Sequence, residues 1–153
     1  MTGLVPEVGF LTACRFRIDL WLAARSLPWR VAGKSFEQIL AAASPEDSVD
    51  YTGLPVEYIS QRVRKSVRHP WLMRDRRCLR EGLLGFEFLR RSGYSPELHF
   101  AVDPASVSSN RISAHCWVCL DGKPVIGDRQ GDQVTIFVHR SQPAKDASDR
   151  VFH

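Results

Sequence analysis

Apolar positions change period once along this chain, recurring at helical spacing up to Arg91 and alternating from Glu97 onward. Residues 8–27 carry apolar side chains on most of a helical surface, and Pro28 predicts the end of that helix. Ser35 with Gln38 forms a capping-box pattern ahead of FEQILAAA, predicting a short helix over about 36–43. SPEDSVDYTGLP follows as a polar, turn-rich connection. Val56, Ile59, Val63 and Val67 then fall on one face of a helix over 55–67, with Pro55 suited to its first turn and His69-Pro70 breaking it. CLREGLLGFEFLRR predicts a further helix over 78–91, closed by Gly93 as a C-terminal cap.

Beyond that point the runs read as strands: ELHFAV (97–102), RISAHCWVCL (111–120), KPVIGD (123–128) and the β-branched QVTIFVH (133–139). Asp121-Gly122 between the second and third is a two-residue hairpin signal. It sets an expected register of Leu120 opposite Lys123, Trp117 opposite Ile126 and His115 opposite Asp128. Helices first and an antiparallel sheet second define an α+β class. We read one domain over 1–153, with a helical part over about 8–70, a core over 71–140 and a loose polar tail over 141–153.

Composition narrows this picture. With 153 residues, 44% of them hydrophobic, the chain is long enough to bury a core without staples. The net charge of +4 is mild, and basic and aromatic residues do not interleave as a nucleic-acid surface requires, so no nucleic-acid partner is expected. FLTACRFRIDLWLAARSL is broken by Arg15, Arg17, Asp19 and Arg25 and cannot span a bilayer. The N-terminus lacks the basic region of a secretory signal. Four cysteines at irregular spacing do not form a disulfide framework. A cytoplasmic protein with reduced thiols and no cofactor is the expectation.

The chemistry centres on AHCWVCLDG. Cys116 and Cys119 stand in CxxC spacing, but on a strand an odd separation points them to opposite faces, so neither chelation nor dithiol chemistry is expected. Both read as small packing residues. Cross-strand neighbours have Cβ atoms about 5 Å apart, so Asp128 is expected to hold one ring nitrogen of His115 and leave the other free as a base. Taken alone this pair reads first as a surface contact. Cys78 adds weight: it opens a predicted helix, where free amides and the helix dipole favour a thiolate, and Arg76 and Arg77 precede it. Gly82 and Gly85 share its side of the helix and suggest that another element passes close over it. A helix-start cysteine, a strand histidine and an opposing aspartate follow the order of a papain-like or transglutaminase-like nucleophilic site. Among the other candidates, Cys14 reads as core, His99 lacks an obvious acidic partner, His139 and His153 lie near the tail, and His69 is a distant reserve for the base.

RCLREGLLGFEFLRRSGYSPELHFAV followed by AHCWVCLDGKPVIGD resembles the transglutaminase-like leader peptidases of lasso-peptide biosynthesis, the B proteins of those gene clusters. The pattern is Cys-Leu on a helix ending in R-R-x-G, a strand, then His-x-W-V-x-x-D-G and an aspartate closing the hairpin. It extends loosely over 10–140, through L-P-W-R and the basic RVRKSVR helix, and is specific over 70–128. The resemblance implies Cys78 as nucleophile, His115 as general base and then acid, and Asp128 as the orienting carboxylate. It implies removal of a leader peptide from a ribosomally made precursor, after which a macrolactam synthetase, a further candidate partner, cyclises the core. No leader-recognition module is visible at the start, so the chain resembles the split type, which takes that protein in trans. Cys116 and Cys119 depart from the family, where alanine and an acidic residue are more usual. Transglutaminase-like acyl transfer and non-catalytic peptide binding are the competing readings.

Overall fold

The change of apolar period between Arg91 and Glu97 is a change of secondary structure. The computed structural model describes residues 9–43, 51–68, 77–108, 110, 114–127 and 133–140. Helices α1 (Phe10–Val31), α2 (Phe36–Ala42), α3 (Val56–Ser66) and α4 (Arg77–Arg91) precede strands β1 (Glu97–Val102), β2 (Ala114–Leu120), β3 (Lys123–Ile126) and β4 (Val134–Arg140). The strands form one antiparallel sheet in the order β3-β2-β1-β4, so the fold is the expected α+β.

Local chemistry explains most of the boundaries. Ser35 and Gln38 make both bonds of the capping box that opens α2: the Ser35 N–H donates to Gln38 Oε1 (3.0 Å) and the Gln38 N–H to Ser35 Oγ (3.3 Å). Gly93 takes a left-handed φ of 91° after α4, and the Tyr94 N–H reaches back to the Leu89 carbonyl at 3.1 Å. One expectation fails. Helix α1 does not stop at Pro28 but continues to Val31, although a proline inside a helix costs about 3 kcal/mol. Tertiary contacts hold this last turn: Leu27 is buried, and the Arg30 guanidinium donates to Glu87 Oε2 (3.3 Å) and the Ala42 carbonyl (3.2 Å). Gly33, at φ 67°, lies just past the helix end.

Helix α4 is the centre of the molecule, and every residue from Gly82 to Leu89 is buried. It packs on β2 along one side and against α1 and α3 along the other. Ile59, Val63 and Val67 are fully buried, as their spacing required. Tyr51 and Leu54 correct the reading of SPEDSVDYTGLP as wholly polar, because both belong to the core. Phe16 meets Tyr51 and Phe88 edge-on at 5.2 and 5.4 Å, and Arg91 lies over both of those rings. The Tyr51 hydroxyl donates to Asp19, which also pairs with Arg91 at 3.7 Å. An aromatic pair of this kind adds about 1 kcal/mol beyond its burial, and Tyr51, an aromatic residue in a polar run, is thereby made part of the core.

Glu87 lies in this interior, and burial raises its carboxyl above the usual range while Arg30 and Arg91 oppose that rise. Arg30→Ala should destabilise the fold by about 2 kcal/mol, the worth of hydrogen bonds to a charged group. Because the folded-state value of Glu87 is raised, the deficit should shrink as pH falls through its titration and the carboxyl becomes neutral. Denaturant melts at neutral and acidic pH read both effects, and a deficit that does not change with pH would rule out Glu87 as its source.

The sheet turns Leu98, Cys116, Val118 and Ile126 towards the helices, while Ala101, Trp117 and Cys119 form a separate cluster. The β2–β3 turn uses Asp121 at φ 51° and Gly122 at φ 78°, the two positive values that a tight hairpin of this twist demands. Leu120 pairs with Lys123 as expected, but Ile126 pairs with Val118 and not with Trp117. The register shifts between Val118 and Cys119, next to Pro124, which has no N–H to give the ladder. Val125 is the extra residue. Asp128, and with it the expected His115–Asp128 pairing, lies outside the described residues.

Candidate active site

Cys78 is the second residue of α4, so its backbone N–H is among the amides that a helix start leaves without an intrahelical partner. Its side chain is half-buried. Two consecutive residues of β2 reach its sulfur: Cys116 through both its thiol and its backbone N–H, and His115 through its ring. Consecutive side chains on a strand leave opposite faces, and a strand N–H points along the sheet plane. All three groups nonetheless converge on the Cys78 sulfur from one strand.

This setting lowers the Cys78 thiol to about 5. The Cys116 thiol hydrogen bond contributes most, burial opposes it, and the Cys116 N–H and the hydrogen bond and charge of His115 add to it. Cys116 moves the other way: hydrogen bonding to the Cys78 thiolate and burial push its thiol far up, so it stays protonated and acts as a donor. Its Sγ also lies 3.0 Å from the Cys78 carbonyl oxygen, so both acceptors for its single proton belong to Cys78. Gly82, one turn along α4, makes this approach possible, since a Cβ there would stand 2.9 Å from Cys116 Sγ.

The opposite-face expectation for the CxxC pair is met, with Cys116 in the core beneath α4 and Cys119 in the separate cluster. The reading of Cys116 as mere packing is overturned. Its position opposite Gly82, four residues after Cys78, was a usable signal, because a glycine on that side marks where a neighbour must come close. Cys116→Ala removes the main donor to the thiolate and should raise the alkylation midpoint of Cys78 by about one unit or more, towards the ordinary cysteine range. Iodoacetamide labelling against pH measures this, and an unmoved midpoint would exclude Cys116 as the cause.

Trp117 is a second residue to which the sequence pattern assigned a place on the strand but no role at the site. Its ring stacks on His115 at 6.0 Å and on His99 at 5.5 Å, and only 4% of it is exposed. His99 also corrects an expectation, since its Nε2 lies 3.1 Å from Glu97 Oε2, two residues away on the same strand face. Trp117 thus presents a fixed wall to the His115 ring. His139 packs on Phe86 at 5.1 Å and is pushed down by burial, while His69 and His153 lie outside the described residues. Cys14, expected in the core, is half-buried on the wall of a groove between α1 and α3.

A cavity of about 530 Å³ opens beside the first turn of α4, lined by Arg64, Arg68, Arg77, Glu81, Pro124 and Gly127. Arg64 pairs with Glu81 at 3.6 Å. Among the described residues no group of His, Cys, Asp or Glu is arranged to hold a metal ion, and no helix is long and apolar enough to cross a membrane. The arrangement can generate a thiolate near neutral pH, supply an imidazole to it and offer a helix-start amide to a developing oxyanion.

A cysteine at the start of a central helix, a strand histidine against its sulfur and an antiparallel sheet behind them define a transglutaminase-like class of thiol chemistry. The transglutaminase-like superfamily matches the chain over residues 11–138, and the protein belongs to it. That superfamily includes cysteine peptidases and acyl transferases. No curated protein and no solved structure matches the chain.

Proposed function

We propose that this protein is a cysteine peptidase that removes the leader from a ribosomally synthesised precursor peptide, in lasso-peptide maturation, with Cys78, His115 and Asp128 as its triad. The observation that carries the peptidase reading is the Cys78 thiol, held at about 5 by Cys116 and His115 at the start of α4. The substrate class rests on the resemblance of residues 70–128 to the leader peptidases of that pathway.

In this reading the Cys78 thiolate attacks the scissile carbonyl and forms a C–S bond. The oxygen becomes an oxyanion facing the Cys78 N–H, where preorganised donors act on charge that develops only in the transition state. His115 protonates the leaving amine, which is the new N-terminus of the core peptide, and the C–N bond breaks. A water then gives its proton to His115 and its oxygen to the thioester carbonyl, releasing the leader as a carboxylate and restoring the thiolate. Asp128 orients the imidazole throughout.

The test is mass spectrometry of a lasso precursor peptide incubated with the protein, with and without a leader-recognition protein. Leader and core masses that sum to the precursor plus one water support hydrolysis. Product joined to an added amine, in excess over hydrolysed product, assigns the chain to acyl transfer instead. An intact precursor in both mixtures refutes the proposal.

A further inference from the structure

A second cavity, larger than the one beside the first turn of α4, lies away from Cys78. It is a groove of about 1010 Å³ between α1 and α3, with Arg80 of α4 lining it from below. Its lining carries five cations, Arg17 and Arg25 from α1, Arg62 and Lys65 from α3, and Arg80, and no carboxylate. None of the five makes an ion pair with a carboxylate among the described residues. Between them lie the buried side chains of Leu20 and Ala24 and the half-exposed Trp21, over whose ring Arg25 sits at 4.5 Å.

Arg80 sets this groove apart from an ordinary basic surface. It is only 4% exposed, and its Nε and Nη1 are buried with no hydrogen-bond partner among the described residues. Burial pulls its guanidinium below the usual arginine range. A desolvated, unpaired cation is a costly element in a folded protein unless something anionic meets it. Arginine is also the residue best shaped to receive a carboxylate.

We infer that this groove binds an acidic peptide segment with an apolar face. The groove follows α1 from Cys14 to Arg25, about 16 Å at 1.5 Å per residue. Its cations are spread along that length and its floor is apolar, so a single small anion would satisfy one end only. A flat anionic membrane would meet the rim but not Arg80, which lies recessed. An elongated ligand with several carboxylates and apolar side chains between them meets all of these features, in the manner of a helix laid into a groove. Arg80 lies two residues from Cys78, so this ligand would press on the first turn of the helix that carries the nucleophile. It is a second recognition surface, separate from the cavity lined by Arg77 and Glu81.

The probe is a fluorescein-labelled synthetic peptide of about 14 residues, long enough to span the groove as a helix, with Glu and Leu at helical spacing. Fluorescence anisotropy should show saturable binding that weakens with salt. The charge-reversed variant Arg62→Glu/Lys65→Glu, whose side chains sit on the outer wall, should weaken it about tenfold or more. Arg80→Met should do the same, and its thermal melt shows whether the fold survives; if it does not, the α3 double variant decides. Equal binding of a peptide with Lys in place of Glu, or undiminished binding by the α3 variant, overturns the inference. So does capture by phosphatidylserine vesicles or by dodecanoate in the absence of peptide binding. Binding is read without turnover, so the result does not depend on the peptidase reading.

Discussion

Cys78→Ala should lower cleavage of the precursor peptide by a factor on the order of 10⁴ or more, the scale of losing the nucleophile of a catalytic unit, while leaving the fold in place. The side chain is half-buried at a helix start and Ala is the better helix former, so little packing is lost. His115→Ala should lose activity on a similar scale, because neither leaving-group protonation nor water activation then has a proton carrier. The same site predicts the pH response. With the thiol at about 5, alkylation of Cys78 should be flat from neutral pH down to about 6 and fall away below 5. The linked stability term has the sign of a depressed folded-state value. It is fully present above the ordinary cysteine range and is lost as pH falls through about 5, so the alanine variant should lack it. Cleavage that persists in Cys78→Ala sinks the nucleophile assignment, and alkylation with a midpoint near 8.5 sinks its electrostatic account.

Gly85→Val should cost more than about 3 kcal/mol and lower the melting temperature by about 10 °C. In an exposed helix a glycine is a weakness, and alanine there would gain about 1 kcal/mol. Here a Cβ would stand 2.4 Å from Ile126 Cδ1, in a seam where Ile126 is itself fully buried. Gly85→Ala should therefore destabilise, and adding Ile126→Val, which removes the offending Cδ1, should recover part of the loss. Ile→Val alone costs about 1 kcal/mol, so the recovery is visible only as a coupling in the double-mutant cycle. Strict additivity in urea melts would mean that α4 and β3 have room to part. The parallel change Gly82→Ala acts on chemistry as well, since it pushes on Cys116 Sγ, the main donor to the Cys78 thiolate.

The parts of this molecule that depend on local rules could be read from the chain. Apolar spacing placed Ile59, Val63 and Val67 inside, Ser35 and Gln38 announced a capping box, and Asp121-Gly122 announced its turn. What escaped depends on contacts between distant residues. Pro28 reads as a stop, yet Arg30 reaches Glu87 across 57 positions and holds one more turn. Tyr51 sits in a polar run whose average hides it, and only the Phe16 and Phe88 rings make it a core residue. Pro124 displaces the β2–β3 register by one, which no count from the turn could foresee. At the site, the helix start and strand parity gave Cys78 and His115 their places. Cys116 was passed over because its neighbour in sequence, not its partner in space, was weighed.

The encasement of α4 has a consequence for motion. Amides between Gly82 and Leu89 have no solvent-facing side, so they should exchange with deuterium only when the whole domain opens. Arg77 is exposed and Cys78 half-exposed, at the end of the same helix where the amides have no intrahelical acceptor. A single helix thus joins a segment shielded from solvent to a tip that water can reach. The tip stays open to solvent while its position is referenced to a helix packed against the sheet on one side and against α1 and α3 on the other.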